Sequence, residues 1–450
     1  MTMGKMKVLP RVLLCAPKSG SGKTLITCAL LRALVKKGFD PCAFKCGPDF
    51  IDPMFHKTVL GVPSRNLDLI MAGEDGVNAS LLAGAGNCNI GVIEGVMGFY
   101  DGLGAEEGLG SSYDLCVRTG TPAILIVDAK GMSTSVIALI KGYLEYGKES
   151  VIRGVILNRV SGALASELSV LIRKQLGIPV IATLPEVKDG ALESRHLGLV
   201  LPTEIPKLLS KVDRVSDELL KSIDMDALMK IAESAKDIEA EDDKSYPQFD
   251  VTVGIARDEA FCFYYEENLE LLEKMGARVK FFSPIHDDKL PDVSRLIIGG
   301  GYPELYAKEL SENKGMLRDI KEAANAGMPI LAECGGFLYL QEMLKDKEGI
   351  EHEMAGVLRG SSHMTDKLSR FGYVSVYANG DNAYLKENDR VRGHEFHYYD
   401  TTDNGNIVTV TKLSSGKSWS GYQAKGNVFA GFAHLYYPSC DKLVERFLGL

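Results

Sequence analysis

The sequence predicts an α/β protein made of two successive parallel-sheet domains, and three observations carry that prediction. From residue 11 to about 200, apolar runs of strand length alternate with segments of helical spacing; such a pattern implies a parallel sheet covered on both faces. The first of these strands, "RVLLCAP", runs into a glycine-rich loop that opens a helix, "KSGSGKT". A second alternation begins at "VTVGIARD" and leads to "MPILAECGGFLYL", where an apolar strand meets a cysteine and two glycines before a helical pattern starts.

Taken in order, "KTLITCALLRALVKKG" has helical spacing and stops at Gly38, a residue suited to a helix end. "PCAFKCGP" is a second strand, "CNIGVIEGV" a third and "PAILIVDA" a fourth, followed by the helical "STSVIALIKGYLEY" and the strands "VIRGVILNRV" and "IPVIATLPE". Residues 205–248 are charged and helix-prone, and their acidic run and Pro247 predict a linker. The expected division is a domain over 1–234, a linker over 235–249 and a domain over 250–450. In the second domain "NLELLEKMG" is helical, "RVKFFSP" a strand, "VSRLIIGGGYPE" a strand entering a glycine turn, and "ENKGMLRDIKEAANAG" a helix. The last third is richer in Gly, Tyr and His and reads as more β-like.

A chain of 450 residues is long enough for two or three domains, and 45% hydrophobic with 25% charged residues is ordinary for a soluble protein. A net charge of −9 argues against a general nucleic-acid binder. No apolar run approaches the ~18–20 residues that span a membrane. The N-terminal apolar run flows directly into the glycine loop, so it reads as a strand and not as a signal peptide. Nine cysteines are scattered without a C-x-x-C pair; Cys42 and Cys46 lack a matching second pair, and no zinc site is expected. Free thiols fit a reducing cytosol, so a cytoplasmic protein is expected.

"GSGKT", residues Gly20, Ser21, Gly22, Lys23 and Thr24, lies between a strand and a helix, as a phosphate-binding loop requires. Glycines let backbone N–H groups curl around phosphates, and the helix start adds a favourable dipole. Lys23 would reach the β- and γ-phosphates and Thr24 would hold Mg²⁺. Pro17 stands where the full pattern wants a glycine. Lys18 is a second cation on the loop. In "KCGPDFIDPMFH", Asp49 and Asp52 sit on a proline-bounded loop after the second strand, where they can hold Mg²⁺ or its waters. Glu94 ends a buried strand just before a glycine loop and would complete the Mg²⁺ shell. Asp128 is either another such acid or a helix cap. Asn158 either reads the nucleotide base or turns the strand end.

Cys334 stands at the start of a helix, which favours a thiolate. Gly335 offers a backbone N–H for an oxyanion hole, and Gly300 and Gly301 of "GGGYPE" can supply the other half. His434, about a hundred residues on, is the candidate base, with His394 and His397 as rivals.

The chain resembles the cobyrinic acid a,c-diamide synthases, within the cobyric acid synthase group of class I glutamine amidotransferases. The resemblance covers nearly the whole chain and rests on "APKSGSGKT", "KCGPDFIDPMFH", "VIEGVMGFYDG", "ESRHLGLV", "GGGYPE", "AECGGFLYL", "MTDKLSRFGYV", "GHEFHYY" and "AGFAHLYYPS", in that order. It implies an N-terminal dethiobiotin-synthetase-like domain and a C-terminal class I glutaminase domain. It further implies that Cys334 is the nucleophile and His434 its base. Such glutaminases usually carry Glu two residues after that histidine; here the position is Tyr436. The implied reaction uses ATP, Mg²⁺ and glutamine to amidate two acetate side chains of a corrin-type ring. Phe50 and Ile51, with Asp49, become candidates for placing the acetate. Arg195 and His196 could meet the ring's carboxylates or simply pack. A homodimer is left open. Nickel sirohydrochlorin and hydrogenobyrinic acid are rival rings for the same chemistry. A P-loop switch ATPase of the partitioning type, with Lys18 as its signature, is the rival from another class.

Overall fold

The computed structural model describes residues 5–104, 108–187, 194–195, 198–199, 208–240 and 244–450. The chain divides into two compact units, Met1–Asp243 and Lys244–Leu450. The architecture is the α/β class expected, with a P-loop parallel sheet in the first unit and a mixed α/β arrangement in the second.

The first unit centres on a seven-stranded sheet with every pairing parallel. In spatial order its strands are Ser64–Leu67, Pro41–Cys46, Ile90–Glu94, Arg11–Cys15, Ala123–Asp128, Ile152–Asn158 and Val180–Leu184. Side chains alternate between two cores: Leu13 and Cys15 face one, Val12 and Leu14 the other. Burial on both faces explains why these strands are continuously apolar in sequence. The chain starts in Arg11–Cys15, builds the strands on one side, then crosses to Ala123–Asp128 on the other. Ligands in open α/β sheets sit at such a reversal, outside the C-terminal ends of the strands. That is where the glycine loop lies.

The expected linker is partly built into this unit. Ile238–Ala240 pairs antiparallel with Lys5–Lys7, and Ile238 is buried. The fully buried Arg11 guanidinium donates to the Lys236, Thr119 and Leu9 carbonyls and to Thr121 Oγ1, tying this stretch to the central strand. The charged helices before it are Leu208–Leu220 and Met225–Glu233.

The second unit has a six-stranded sheet in the order Arg278–Phe282, Thr252–Ala256, Arg295–Ile298, Ile330–Glu333, Val428–Gly431 and Gln423–Lys425. The first five are parallel and the last is an antiparallel edge. A five-stranded antiparallel sheet carries Arg370–Ala378, Arg390–His397 and His434–Leu435. This sheet and a smaller four-stranded one account for the β-like last third.

Candidate active sites

In the first unit the glycine loop joins Arg11–Cys15 to the helix Lys23–Lys36. Gly20 and Gly22 take φ of 78° and 92°, where a Cβ is costly. A Cβ on Gly22 would also lie 2.7 Å from the Asn158 amide nitrogen. Asn158 Nδ2 donates to the Ser21 carbonyl at 3.1 Å, so it braces the loop. Ser21 Oγ donates to the Lys18 carbonyl at 2.9 Å. No side chain caps the helix start, which leaves its first N–H groups to an anion. Lys23 is buried and its Nζ donates to the Met97 carbonyl at 2.5 Å. Burial and then the neighbouring Lys45 lower its pKa, against the pull of Glu94.

Beside the loop, three strand and helix ends bring a charged cluster together. Lys45 and Glu94 are direct register partners on adjacent parallel strands. Lys45 Nζ lies 2.5 Å from Asp52 Oδ2 and 3.3 Å from Glu94 Oε1. Thr24 Oγ1 donates to Glu94 Oε1 at 2.5 Å. His56 Nε2 is 3.4 Å from Glu94 Oε2, and its Nδ1 is 3.1 Å from Ser64 Oγ. Burial pushes the Glu94 carboxyl up, but Lys45, His56 and Thr24 outweigh it and hold the pKa well below the usual range. Burial and then Glu94 raise Asp52. Lys45 is the counter-charge that both carboxylates share. Their oxygens and Thr24 Oγ1 are donors of the hard kind that a divalent cation takes.

Thr24, Lys45, Asp49, Asp52, Glu94, Asn158 and the Leu184–Val187 stretch line a cleft of about 620 Å³. Asp49 Oδ1 accepts from the Ile51 N–H at 3.0 Å. Phe50 is half-buried before the helix Ile51–Leu60, and Ile51 is buried. Asp128 is held by Arg159, whose Nε donates to Oδ1 at 2.8 Å. Lys18 is exposed. Arg195 lies on a two-residue strand paired with Gly198–Leu199, and His196 is outside the described residues. Lys45 and His56 were not singled out from sequence, although both stand in "KCGPDFIDPMFH".

In the second unit Cys334 separates the strand Ile330–Glu333 from the helix Gly335–Leu340. Its φ of 48° and ψ of −106° are a strained backbone for a residue with a side chain, costing about 1–3 kcal/mol. The turn is tight: a Cβ on Gly336 would lie 2.0 Å from the Ile298 carbonyl oxygen. The Gly335 N–H hydrogen-bonds the Cys334 sulfur. Gly300 and Gly301 fill the space between this turn and His434. A Cβ on Gly335 would be 3.2 Å from the Gly301 nitrogen, and one on Gly300 would be 2.2 Å from His434 Cε1. No side chain at 300 fits beneath the imidazole.

His434 and His394 are cross-strand partners. His397 stacks on Phe432 with ring centroids 4.0 Å apart, and its Nδ1 is 2.6 Å from the Tyr399 carbonyl. Burial, helped by Glu304, pushes the Cys334 thiol up to about 12. Burial, helped by His394 and His397, lowers His434 to about 3. Both shifts favour the neutral forms, a thiol at Cys334 and an imidazole at His434. Tyr436 packs edge-on against Tyr265 at 6.0 Å.

Residues 12–200 match the CobQ/CobB/MinD/ParA nucleotide binding domain, and residues 252–441 match the CobB/CobQ-like glutamine amidotransferase domain. A curated protein of Caldanaerobacter subterraneus subsp. tengcongensis named cobyrinate a,c-diamide synthase is 40% identical over 435 residues, 96% of each chain. A protein of the same name from Clostridium acetobutylicum is 40% identical over 433 residues, covering 95% of this chain and 97% of that one. Another, from Listeria innocua, is 38% identical over 98% of this chain and 99% of that one.

Proposed function

The chain belongs to the cobyrinate a,c-diamide synthase family of glutamine-dependent carbon–nitrogen ligases, and on that footing we propose that it amidates the a and c acetate carboxylates of cobyrinic acid. The observation that carries this reading is the presence, in one chain, of a phosphate loop beside a buried acid cluster and of a strained cysteine turn beside a histidine.

Making an amide from a carboxylate needs two activations. Hydroxide is a poor leaving group, so the acetate oxygen first attacks the γ-phosphorus of ATP, giving an acyl phosphate and ADP. The Gly20–Thr24 loop holds the phosphates and Lys23 offsets the charge that builds on the γ-group. Thr24, Asp49, Asp52 and Glu94 would hold Mg²⁺, which would neutralise phosphate charge. Free ammonia is mostly protonated at neutral pH, so it is cut from glutamine. Cys334 gives its proton to His434 as sulfur attacks the amide carbon, and the oxyanion takes hydrogen bonds from Gly335 and the Gly300–Gly301 backbone. His434 returns the proton to the departing NH₃, and water then hydrolyses the thioester. Ammonia attacks the acyl phosphate and inorganic phosphate leaves.

Replacing Cys334 with serine tests this division of labour. We expect Cys334→Ser to lose glutamine-dependent amidation and to keep amidation with free ammonia. Equal loss with both nitrogen sources would make the cysteine structural.

A further inference from the structure

A nucleophile–base pair is commonly completed by a third group that orients the base. Two residues beyond His434 the chain offers a tyrosine ring, packed on Tyr265. A carboxylate reaches the same segment from the opposite direction. Glu333, the residue immediately before Cys334, is buried and accepts hydrogen bonds from the Tyr437 hydroxyl and the Leu435 N–H. Those donors flank Tyr436 and follow directly on His434. A second clamp acts from the helix Glu266–Lys274: Asn268 Nδ2 donates to the Leu435 carbonyl at 2.8 Å, and Asn268 Oδ1 accepts from the Tyr437 N–H at 2.8 Å.

We infer that Glu333 is the positioning residue for His434, tying the strand that carries the nucleophile to the backbone just after the base. It fixes the spacing of thiol and imidazole through the main chain, without touching the ring. The inference rests on the reading of Cys334 and His434 as a glutaminase pair. The other titratable groups around the carboxyl are Tyr264 and Tyr422, with Cys334 next to it in the chain. The Tyr264 hydroxyl donates to the Ala256 carbonyl, and Tyr422 donates to the Ala433 carbonyl at 3.0 Å. Burial pushes the Glu333 carboxyl up to about 8, against the two hydrogen bonds it accepts. Either charge state leaves acceptor lone pairs for both donors, so the clamp needs the acceptors and not the charge.

The test uses the full chain and three variants. Glu333→Ala should lower kcat for glutamine hydrolysis by roughly 10- to 100-fold, less than the ~10²–10⁴-fold that general-base catalysis supplies, because the base itself remains. Its KM for glutamine and its ammonia-dependent synthesis should stay near wild type. Glu333→Gln, which keeps an acceptor, should recover most of the lost rate, and Tyr437→Phe should fall between. Wild-type hydrolysis in Glu333→Ala, with Cys334→Ser inactive, would overturn the role of Glu333 alone. A Gln variant as poor as the Ala variant would overturn the clamp. Hydrolysis surviving in Cys334→Ser would overturn the pair itself. Should Glu333→Ala fail to fold, Tyr437→Phe decides, since it removes one hydroxyl; an unchanged kcat there would count against the clamp.

Discussion

Cys334 and His434 are both buried, and burial drives their proton affinities apart in the direction that keeps each neutral. A thiol held up near 12 is a poor nucleophile at neutral pH until its proton has somewhere to go. The resting enzyme should therefore resist alkylation. Because the folded thiol pKa lies above the ordinary value, the thiolate fraction should keep rising with pH well past about 9, the ordinary cysteine range. Iodoacetamide inactivation of the free enzyme, followed against pH, should climb through that region; a plateau already reached near neutral pH would show a preformed thiolate pair. The candidates Lys23, Thr24 and Cys334 could be singled out in sequence because each stands at a glycine-marked strand-to-helix junction, and His434 because it stands in an apolar strand-like run about a hundred residues after the cysteine. The crowding of Gly300 against His434 could not, because the two residues are 134 positions apart and sit on strands of two different sheets that meet only in the tertiary fold.

At the scale of elements, the acid cluster depends on strand order. The sequence places Lys45 and Glu94 at the ends of two strands but does not say that those strands are neighbours. Their pairing in register makes Lys45 the counter-charge for both Glu94 and Asp52. That is why Asp49, Asp52 and Glu94 could be read as metal-facing acids while Lys45 and His56 went unread. Removing Lys45 leaves two buried carboxylates facing each other. Lys45→Ala should destabilise the chain by about 3–5 kcal/mol, the range for a broken buried pair. Adding Glu94→Gln to it should return part of that loss, since one of the two charges is then gone. Chemical denaturation of the single and double variants measures both. A single variant as stable as wild type would mean that the cluster is solvated in solution. The strands themselves were legible from their apolar runs. The antiparallel pairing of Lys5–Lys7 with Ile238–Ala240 was not, because two short charged stretches far apart carry no periodicity to announce it.

At the scale of the whole molecule, the nucleotide binding domain and the glutamine amidotransferase domain fall in different compact units, and under the proposed function the first prepares the acyl group and the second releases the nitrogen. Under the proposed function, nitrogen from glutamine ends on a cobalt-containing ring. The most direct test gives the purified protein ATP, Mg²⁺ and glutamine labelled with ¹⁵N on its amide. Cobyrinic acid and nickel sirohydrochlorin are supplied as competing acceptors, and the products are read by mass spectrometry. Two labelled nitrogens are expected on the cobalt ring, with labelling abolished in Cys334→Ser and in Lys23→Ala. Two labelled nitrogens on the nickel ring would contradict the assigned substrate while leaving the mechanism. ATP hydrolysis with no label on either ring would contradict a glutamine-dependent ligase acting on these rings.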